Sequence, residues 1–203
     1  MIAEEKIRHY LALFPSLKPD DLFLLFSLAV RRELVAGEIY IRQDSYSRKL
    51  AYVVSGLIRS YAVRENGEEA TIQLHWEDRF FASKDSILRN AASRFIYQAV
   101  EPTVLLEMDY DTMQTVLDAN PQFAAPRNFF LLSMLADSME RVESFILLSP
   151  KERYLQLLDE KPDITARVPD KFIATLLGIT PVSLSRMRSR IAKRKKGKDP
   201  GAE

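Results

Sequence analysis

Residues 169–191 read PDKFIATLLGITPVSLSRMRSRI, and the spacing within this stretch predicts two short helices joined by a tight turn. Ala174 is small where two helices would cross closely, and Gly178 suits a turn position of positive φ. Ile173, Leu177, Ile179, Leu184 and Ile191 supply the apolar side chains that such a pair buries between its helices. Thr180 followed by Pro181 is a good N-cap followed by a good first helical residue, so the second helix starts there. At about 100° per residue, Leu184, Met187 and Ile191 share one face of that helix, and Val182, Arg186 and Ser189 share the opposite one. Ser183, Ser185 and Arg190 flank the outward face. This pattern matches a helix-turn-helix whose second helix enters the major groove of double-stranded DNA, with basic residues nearby for phosphates.

The charge distribution around the stretch points the same way. Residues 149–203 hold 13 Lys/Arg against 7 Asp/Glu, whereas residues 1–148 hold 16 against 21, and only the sum is the near-neutral net charge of +1. Eight basic residues and no acidic one lie between Arg186 and Lys198. Such asymmetry predicts a polyanion partner for the C-terminal part. Charge alone leaves a solvated basic tail as the alternative.

Upstream, Ser149-Pro150-Lys151-Glu152 combines an N-cap, a proline at the first helical position and a glutamate at the third, so a new helix begins there. Glu160-Lys161-Pro162-Asp163 breaks it. Before Ser149, a long helix is expected from about Arg127 to Leu148, following a shorter one that ends near Asn120-Pro121. Along the long helix, Leu131, Leu135, Met139, Val142 and Ile146 recur at spacings of four, four, three and four, a continuous apolar seam widened by Phe129, Phe130, Leu132 and Phe145. A helix apolar on two faces can cover one with its own domain and the other with a second copy of itself, which predicts a homodimer; burial within a monomer is the alternative. The expected division is a domain over 1–122, a dimerisation helix over 123–148 and a helix-turn-helix domain with a basic tail over 149–203.

Further toward the N-terminus the period shortens to that of strands. Expected strands are Glu33–Val35, Ile39–Ile41, Leu50–Val54, Leu57–Val63, Ala70–Trp76, Phe95–Val100 and Val104–Met108. Ala36-Gly37 and Ser55-Gly56 mark reversals, and Asn66-Gly67 is the strongest short hairpin signal. Many short strands with frequent turns predict a closed sandwich or barrel. Ahead of them the first 30 residues read as two short helices, with Ile7, Tyr10, Leu11 and Phe14 on one apolar face and Leu22, Leu25, Phe26 and Ala29 on the other.

Several function classes are excluded by composition. Zero cysteines remove disulfides, thiolate nucleophiles, thiolate zinc sites and cysteine-held iron–sulfur clusters. The only histidines, His9 and His75, form no His-x-His pair of the kind metal-dependent oxygenases of closed β fold use, and no nucleophile–base constellation or glycine-rich phosphate loop occurs. A non-enzymatic protein without metal or cofactor is therefore expected. The acidic start Met1-Ile2-Ala3-Glu4-Glu5-Lys6 does not read as a signal peptide, and the most apolar run, Leu22–Val30, is far short of the ~20 residues that cross a bilayer. A cytoplasmic protein without a membrane partner is expected.

The motif Ile173-Ala174-x-x-Leu177-Gly178-Ile179-Thr180-x-x-Ser183-Leu184-Ser185-Arg186 resembles the Crp/Fnr family of bacterial transcription regulators. Leu34, Gly37-Glu38, Tyr52, Gly56, Ile58-Arg59, the Asn66-Gly67 hairpin and Phe80-Phe81-Ala82 extend the resemblance over nearly the whole chain. It implies an α+β protein: an N-terminal antiparallel β-roll of the cyclic-nucleotide-binding kind with flanking helices, a long dimerisation helix and a C-terminal helix-turn-helix domain. It further implies a homodimer on a pseudo-palindromic DNA site, with Lys171, Thr180, Val182, Ser183, Ser185, Arg186, Ser189 and Arg190 at the DNA. RNA polymerase and an unidentified small-molecule effector are further candidate partners. The competing reading is an interaction module that senses a cyclic nucleotide or other small ligand and binds protein through its C-terminal helices.

The departures from the family concern the ligand. Its cyclic-nucleotide binders carry a Gly-Glu pair before a short helix and an Arg-Ser pair after it, the arginine neutralising the phosphate. Here the pairs read Ala82-Ser83 and Ser93-Arg94, which moves the arginine by one residue. In a strand such a shift turns the side chain to the other face, so ordinary cyclic-AMP control is not expected. The candidate ligand residues are Ser83, Ser93, Arg94 and Ser138, with Lys84 read as a surface lysine. His9 and His75 are read as structural rather than as haem ligands.

Overall fold

The computed structural model describes residue 8 and residues 11–196, with side chains to residue 193. Ile7, His9, Tyr10 and the tail from 197, with Lys198, lie outside the described residues. No helix among them is long and apolar enough to cross a membrane.

Helical turns at 11–13 precede α1 (Pro19–Ser27), whose first turn carries Pro19 and Asp21, the latter accepting the Lys18 N–H at 2.7 Å. Eight strands follow, β1 (Val30–Leu34), β2 (Ile39–Ile41), β3 (Lys49–Ser55), β4 (Ile58–Val63), β5 (Glu69–His75), β6 (Phe80–Ala82), β7 (Ile96–Ala99) and β8 (Thr103–Asp109), with the short helix α2 (Lys84–Leu88) between β6 and β7. They form two four-stranded sheets, ordered β1-β8-β3-β6 and β2-β7-β4-β5. The expected strands are all present, with two differences. The first begins at Val30, because its whole length pairs with β8 from Val30↔Glu107 to Leu34↔Thr103. Phe80–Ala82, too short to show a period, is a strand because it pairs with Leu50–Tyr52 of β3.

The chain divides into two compact units, residues 1–60 with 74–140, and residues 61–73 with 141–203. In the first unit both sheets contribute to one core: Leu34, Ala51, Val53, Phe81 and Leu105 from one, and Ile41, Ile58, Tyr97 and Ala99 from the other. Sharing that core closes the sheets into a roll. A second cluster packs Phe14, Leu17 and Leu22 on Phe123, with Val116 and Leu117 of α3 (Tyr110–Ala119) beside them. Asp109 caps α3 by accepting the Thr112 N–H at 2.8 Å, which holds its carboxyl below the usual range. A 3₁₀ turn, Pro121–Phe123, leads into α4 (Ala124–Leu147), 24 residues long.

The second unit contains the β4–β5 hairpin tip, the last turns of α4, and four helices: α5 (Pro150–Glu160), α6 (Ile164–Arg167), α7 (Asp170–Leu176) and α8 (Pro181–Lys196). At the hairpin, Asn66-Gly67 sits within a five-residue connection, 64–68, closed by Arg64 N–H to the Glu68 carbonyl at 2.9 Å. Ser149 and Glu152 form the expected capping box of α5, each accepting from the other's backbone, and the Ser149 hydroxyl, donating at 2.7 Å, together with its backbone N–H holds the Glu152 carboxyl below its ordinary value. The single turn α6 was not evident from sequence. Its Ile164 is fully buried, which anchors the turn to the interior of the second unit.

Candidate nucleic-acid interface

Helices α7 and α8 bury Ile173 and Ala174 of the first and Leu184 of the second completely. Gly178 makes the turn at φ +72°, and a Cβ there would lie 3.1 Å from the Phe145 ring. The Thr180 hydroxyl accepts the Ser183 N–H at 3.2 Å and donates to the Ser183 hydroxyl at 3.0 Å, the side-chain cap that fixes where α8 starts. Leu184 then points into the core and Met187 and Ile191 are half-buried, so the opposite side of α8 is outward.

Each candidate contact residue, Lys171, Thr180, Val182, Ser183, Ser185, Arg186, Ser189 and Arg190, is exposed. Val182 presents 59% of its surface to solvent, an apolar side chain with nothing over it. The Ser189 hydroxyl donates to the Ser185 carbonyl at 3.0 Å, leaving its lone pairs outward. Lys171 lies over the Phe172 ring at 4.9 Å, which extends its ammonium along the surface.

One flank of α8, between its half-buried and its outward side, and the start of α5 border an open groove of about 750 Å³. Ser149, Lys151, Ser183, Arg186, Arg190 and Lys193 line its polar sides, and Ile179, Met187 and Ile191 its floor. Among the described residues neither Arg186 nor Arg190 has an ion-pair partner, so their charge is offered outward. Arg188 is different. Its guanidinium donates to Asp170 at 2.6 Å and stacks over Tyr154 at 5.3 Å, so one of the eight basic residues in the run is structural. Lys151 was missed by the sequence reading, since nothing local marks a lysine at the second position of α5 as facing α8.

Behind the motif, Arg141 and Arg153 both lie over the Phe145 ring, at 5.2 and 4.3 Å from its centroid. Arg141 of α4 donates to the Leu176 carbonyl at 3.3 Å and Arg153 of α5 to the Leu177 carbonyl at 2.8 Å, tying the end of α7 to both helices. Burial and the nearby Arg153 lower the basicity of Arg141.

On α4 the seam residues Leu131, Leu135, Met139, Val142 and Ile146 are all exposed, Val142 to 60% and Ile146 to 74%. Phe130 is half-buried edge-on against Phe80, while Phe129 meets Phe14 edge-on and still presents 43% of its surface to solvent.

In the roll, Ser83 is fully buried and caps α2, its hydroxyl accepting from Ser86 N–H at 3.3 Å. Ser93 is buried with its hydroxyl on the Phe95 carbonyl at 2.8 Å. Arg94 is turned onto Asp85, with Nε at 2.9 Å from one carboxylate oxygen and its backbone N–H at 3.1 Å from the other. Ser138 donates to the Met134 carbonyl and accepts from Lys84 at 3.3 Å, and Lys84 is an exposed surface lysine, as expected. His75 is buried and stacked on Phe81 at 5.1 Å.

Residues 31–120 match the model of the cyclic nucleotide-binding domain family. A sequence search of curated proteins returned no match. Among solved structures, FixK2 from Bradyrhizobium japonicum has a TM-score of 0.70 at 17% identity, over 82% of this chain and 86% of that one. The c-di-GMP responsive global regulator CLP of Xanthomonas campestris has a TM-score of 0.66 at 17% identity, over 88% and 93%. The catabolite activator protein of Thermus thermophilus has a TM-score of 0.54 at 22% identity, over 90% and 87%. At these identities the likeness is one of fold, and the α+β architecture expected from the sequence resemblance holds.

Proposed function

We infer that this chain is a Crp/Fnr-type transcription regulator that binds duplex DNA as a homodimer through α8. The observation that carries the reading is the capped, outward face of α8, on which Arg186 and Arg190 stand unpaired among the described residues beside Lys151 and Lys193. Arg186, in the first two turns, is suited to donate two bonds to O6 and N7 of a guanine, and Val182 to touch a thymine methyl. Lys171, Thr180, Ser183, Ser185, Ser189 and Arg190 are suited to phosphates, which position the protein without reading sequence.

The exposed seam of Leu131, Leu135, Met139, Val142 and Ile146 supports the dimer, because a row of large apolar side chains on one helix face gains most by facing its own copy. Two α8 helices then address half-sites about one DNA turn, ~34 Å, apart. Regulation by ordinary cyclic AMP is not part of this reading, since the Arg94 side chain is already engaged by Asp85.

Selection of binding sites from random duplex DNA with the purified chain tests this. The expected result is a site of approximate two-fold symmetry whose affinity falls steeply with salt, bound by a species that sediments as a dimer. A monomer at micromolar concentration unchanged by DNA would remove the dimer. Salt-independent binding to protein, with no retained duplex, would replace the DNA reading by that of a protein-interaction module.

A further inference from the structure

Asp85 is 3% exposed although it is an ionisable residue on a short surface helix, whereas the Arg94 side chain that meets it is 62% exposed. A carboxylate is drawn out of water only where its oxygens are satisfied. Here a guanidinium Nε and a backbone N–H of the same residue reach the two oxygens separately, at 2.9 and 3.1 Å, and Arg89 approaches at 3.9 Å. Two donors converging on a two-oxygen anion are what a phosphate group also requires.

The segment carrying this pair is closed down from outside as well. Arg48 donates to the Ser86 carbonyl at 2.8 Å, and the Ser47 N–H to the Ser86 hydroxyl at 3.2 Å. Asp44 and Ser45 exchange backbone bonds with Ser93 at 2.8 and 2.9 Å, and the Tyr46 hydroxyl donates to the Asn90 carbonyl at 2.6 Å. Inside it, the hydroxyls of Ser83, Ser86 and Ser93 are almost wholly buried. The stretch is thus folded tightly around an anion that the chain itself supplies.

We propose that Asp85 is the resident anion of this roll: its carboxylate occupies the donor pair of Arg94 that a phosphate-bearing ligand would otherwise take, and holds residues 83–94 closed without any diffusible effector. Removing the carboxylate exposes a latent site for a phosphate group, built from the Arg94 guanidinium and backbone N–H. The pairing does not depend on what the C-terminal helices bind.

The test compares the full chain with its Asp85→Ser, Asp85→Asn and Asp85→Ser/Arg94→Met forms. Amide exchange over residues 84–94 and thermal melting are followed in chloride, inorganic phosphate and cyclic AMP at matched ionic strength. The natural chain should exchange slowly there and respond to neither anion. Asp85→Ser should exchange roughly tenfold faster or more, the consequence of losing one charge-assisted bond. Phosphate or cyclic AMP should slow it again and raise its melting temperature, and Arg94→Met in addition should abolish both effects. Rescue by inorganic phosphate identifies the phosphate group alone as the ligand, and rescue by cyclic AMP only identifies a nucleotide phosphodiester. Unchanged exchange in Asp85→Ser, acceleration that neither anion reverses, or a melting shift of the natural chain with cyclic AMP would each overturn the proposal. If Asp85→Ser does not fold, the shape-conserving Asp85→Asn form is read by the same criteria.

Discussion

The hydroxyl of Thr175 in α7 accepts the backbone N–H of Thr71 at 3.2 Å and lies 3.0 Å from the Thr71 hydroxyl, although the two residues are 104 positions apart. Thr71 is 3% exposed, so no water can replace this partner. The pair fastens the first half of β5 to the first helix of the helix-turn-helix, inside the second compact unit.

Thr175→Val should therefore destabilise the chain by about 1–3 kcal/mol, the cost of leaving a buried N–H unsatisfied, whereas Thr175→Ser should recover most of it. Urea midpoints of the three proteins measure the difference. Equal midpoints for the valine and natural forms would show that the N–H finds another acceptor.

Gly56→Ala should be the more damaging of two glycine substitutions. Gly56 has φ +92°, and a Cβ there would lie 2.5 Å from the Thr103 hydroxyl and 2.6 Å from the Pro102 carbonyl. Gly67, at φ +81°, faces open space, so Gly67→Ala costs only the left-handed backbone penalty of about 1–2 kcal/mol. Chemical denaturation should show Gly56→Ala well beyond that value, with comparable losses in the two variants counting against the close approach of Gly56 to the 102–103 backbone.

Arg186→Ala and Arg190→Ala should weaken DNA binding in different ways. Loss of a bidentate guanine contact costs roughly 1–3 kcal/mol and relaxes preference at one base pair, whereas loss of a phosphate contact lowers affinity for every sequence and flattens the salt dependence. Titrations on selected and random duplexes separate them. Equal losses on both duplexes for Arg186→Ala would move it to the phosphate group of contacts.

Acid should loosen the start of α5. Hydrogen bonds from the Ser149 hydroxyl and backbone hold the Glu152 carboxyl below its ordinary value, so the unfolded chain binds this proton more readily than the folded one. The contribution is present above the ordinary carboxylate pKa and is lost as pH falls through the lowered folded value. Stability measured from neutral pH downward should decline less steeply in Glu152→Gln than in the natural chain. Parallel curves would show that the capping box is energetically silent.

Much of this architecture is local and was therefore open to a reader of the chain. The start of α5 follows from Ser149, Pro150 and Glu152, the start of α8 from Thr180 and Pro181, and the turn between α7 and α8 from Gly178. Each is set by groups within four residues, where the chain has little freedom to lose in bringing partners together. The outward face of α8 is equally local, since helical periodicity alone separates Leu184 from Arg186.

Only the folded chain decided the rest. Phe80–Ala82 is a strand because β3 lies beside it, the strand order β1-β8-β3-β6 joins segments distant in sequence, and Arg188 leaves the basic surface because α7 brings Asp170 to it. Asp85 and Arg94 are only nine residues apart, yet nothing in their spacing announces that one would be buried on the other. That depends on Ser45, Arg48 and Tyr46 pressing the intervening loop inward. A periodic pattern records which side of an element faces the core; which elements and loops meet there is set by long-range closure of the chain, whose energy no short window contains.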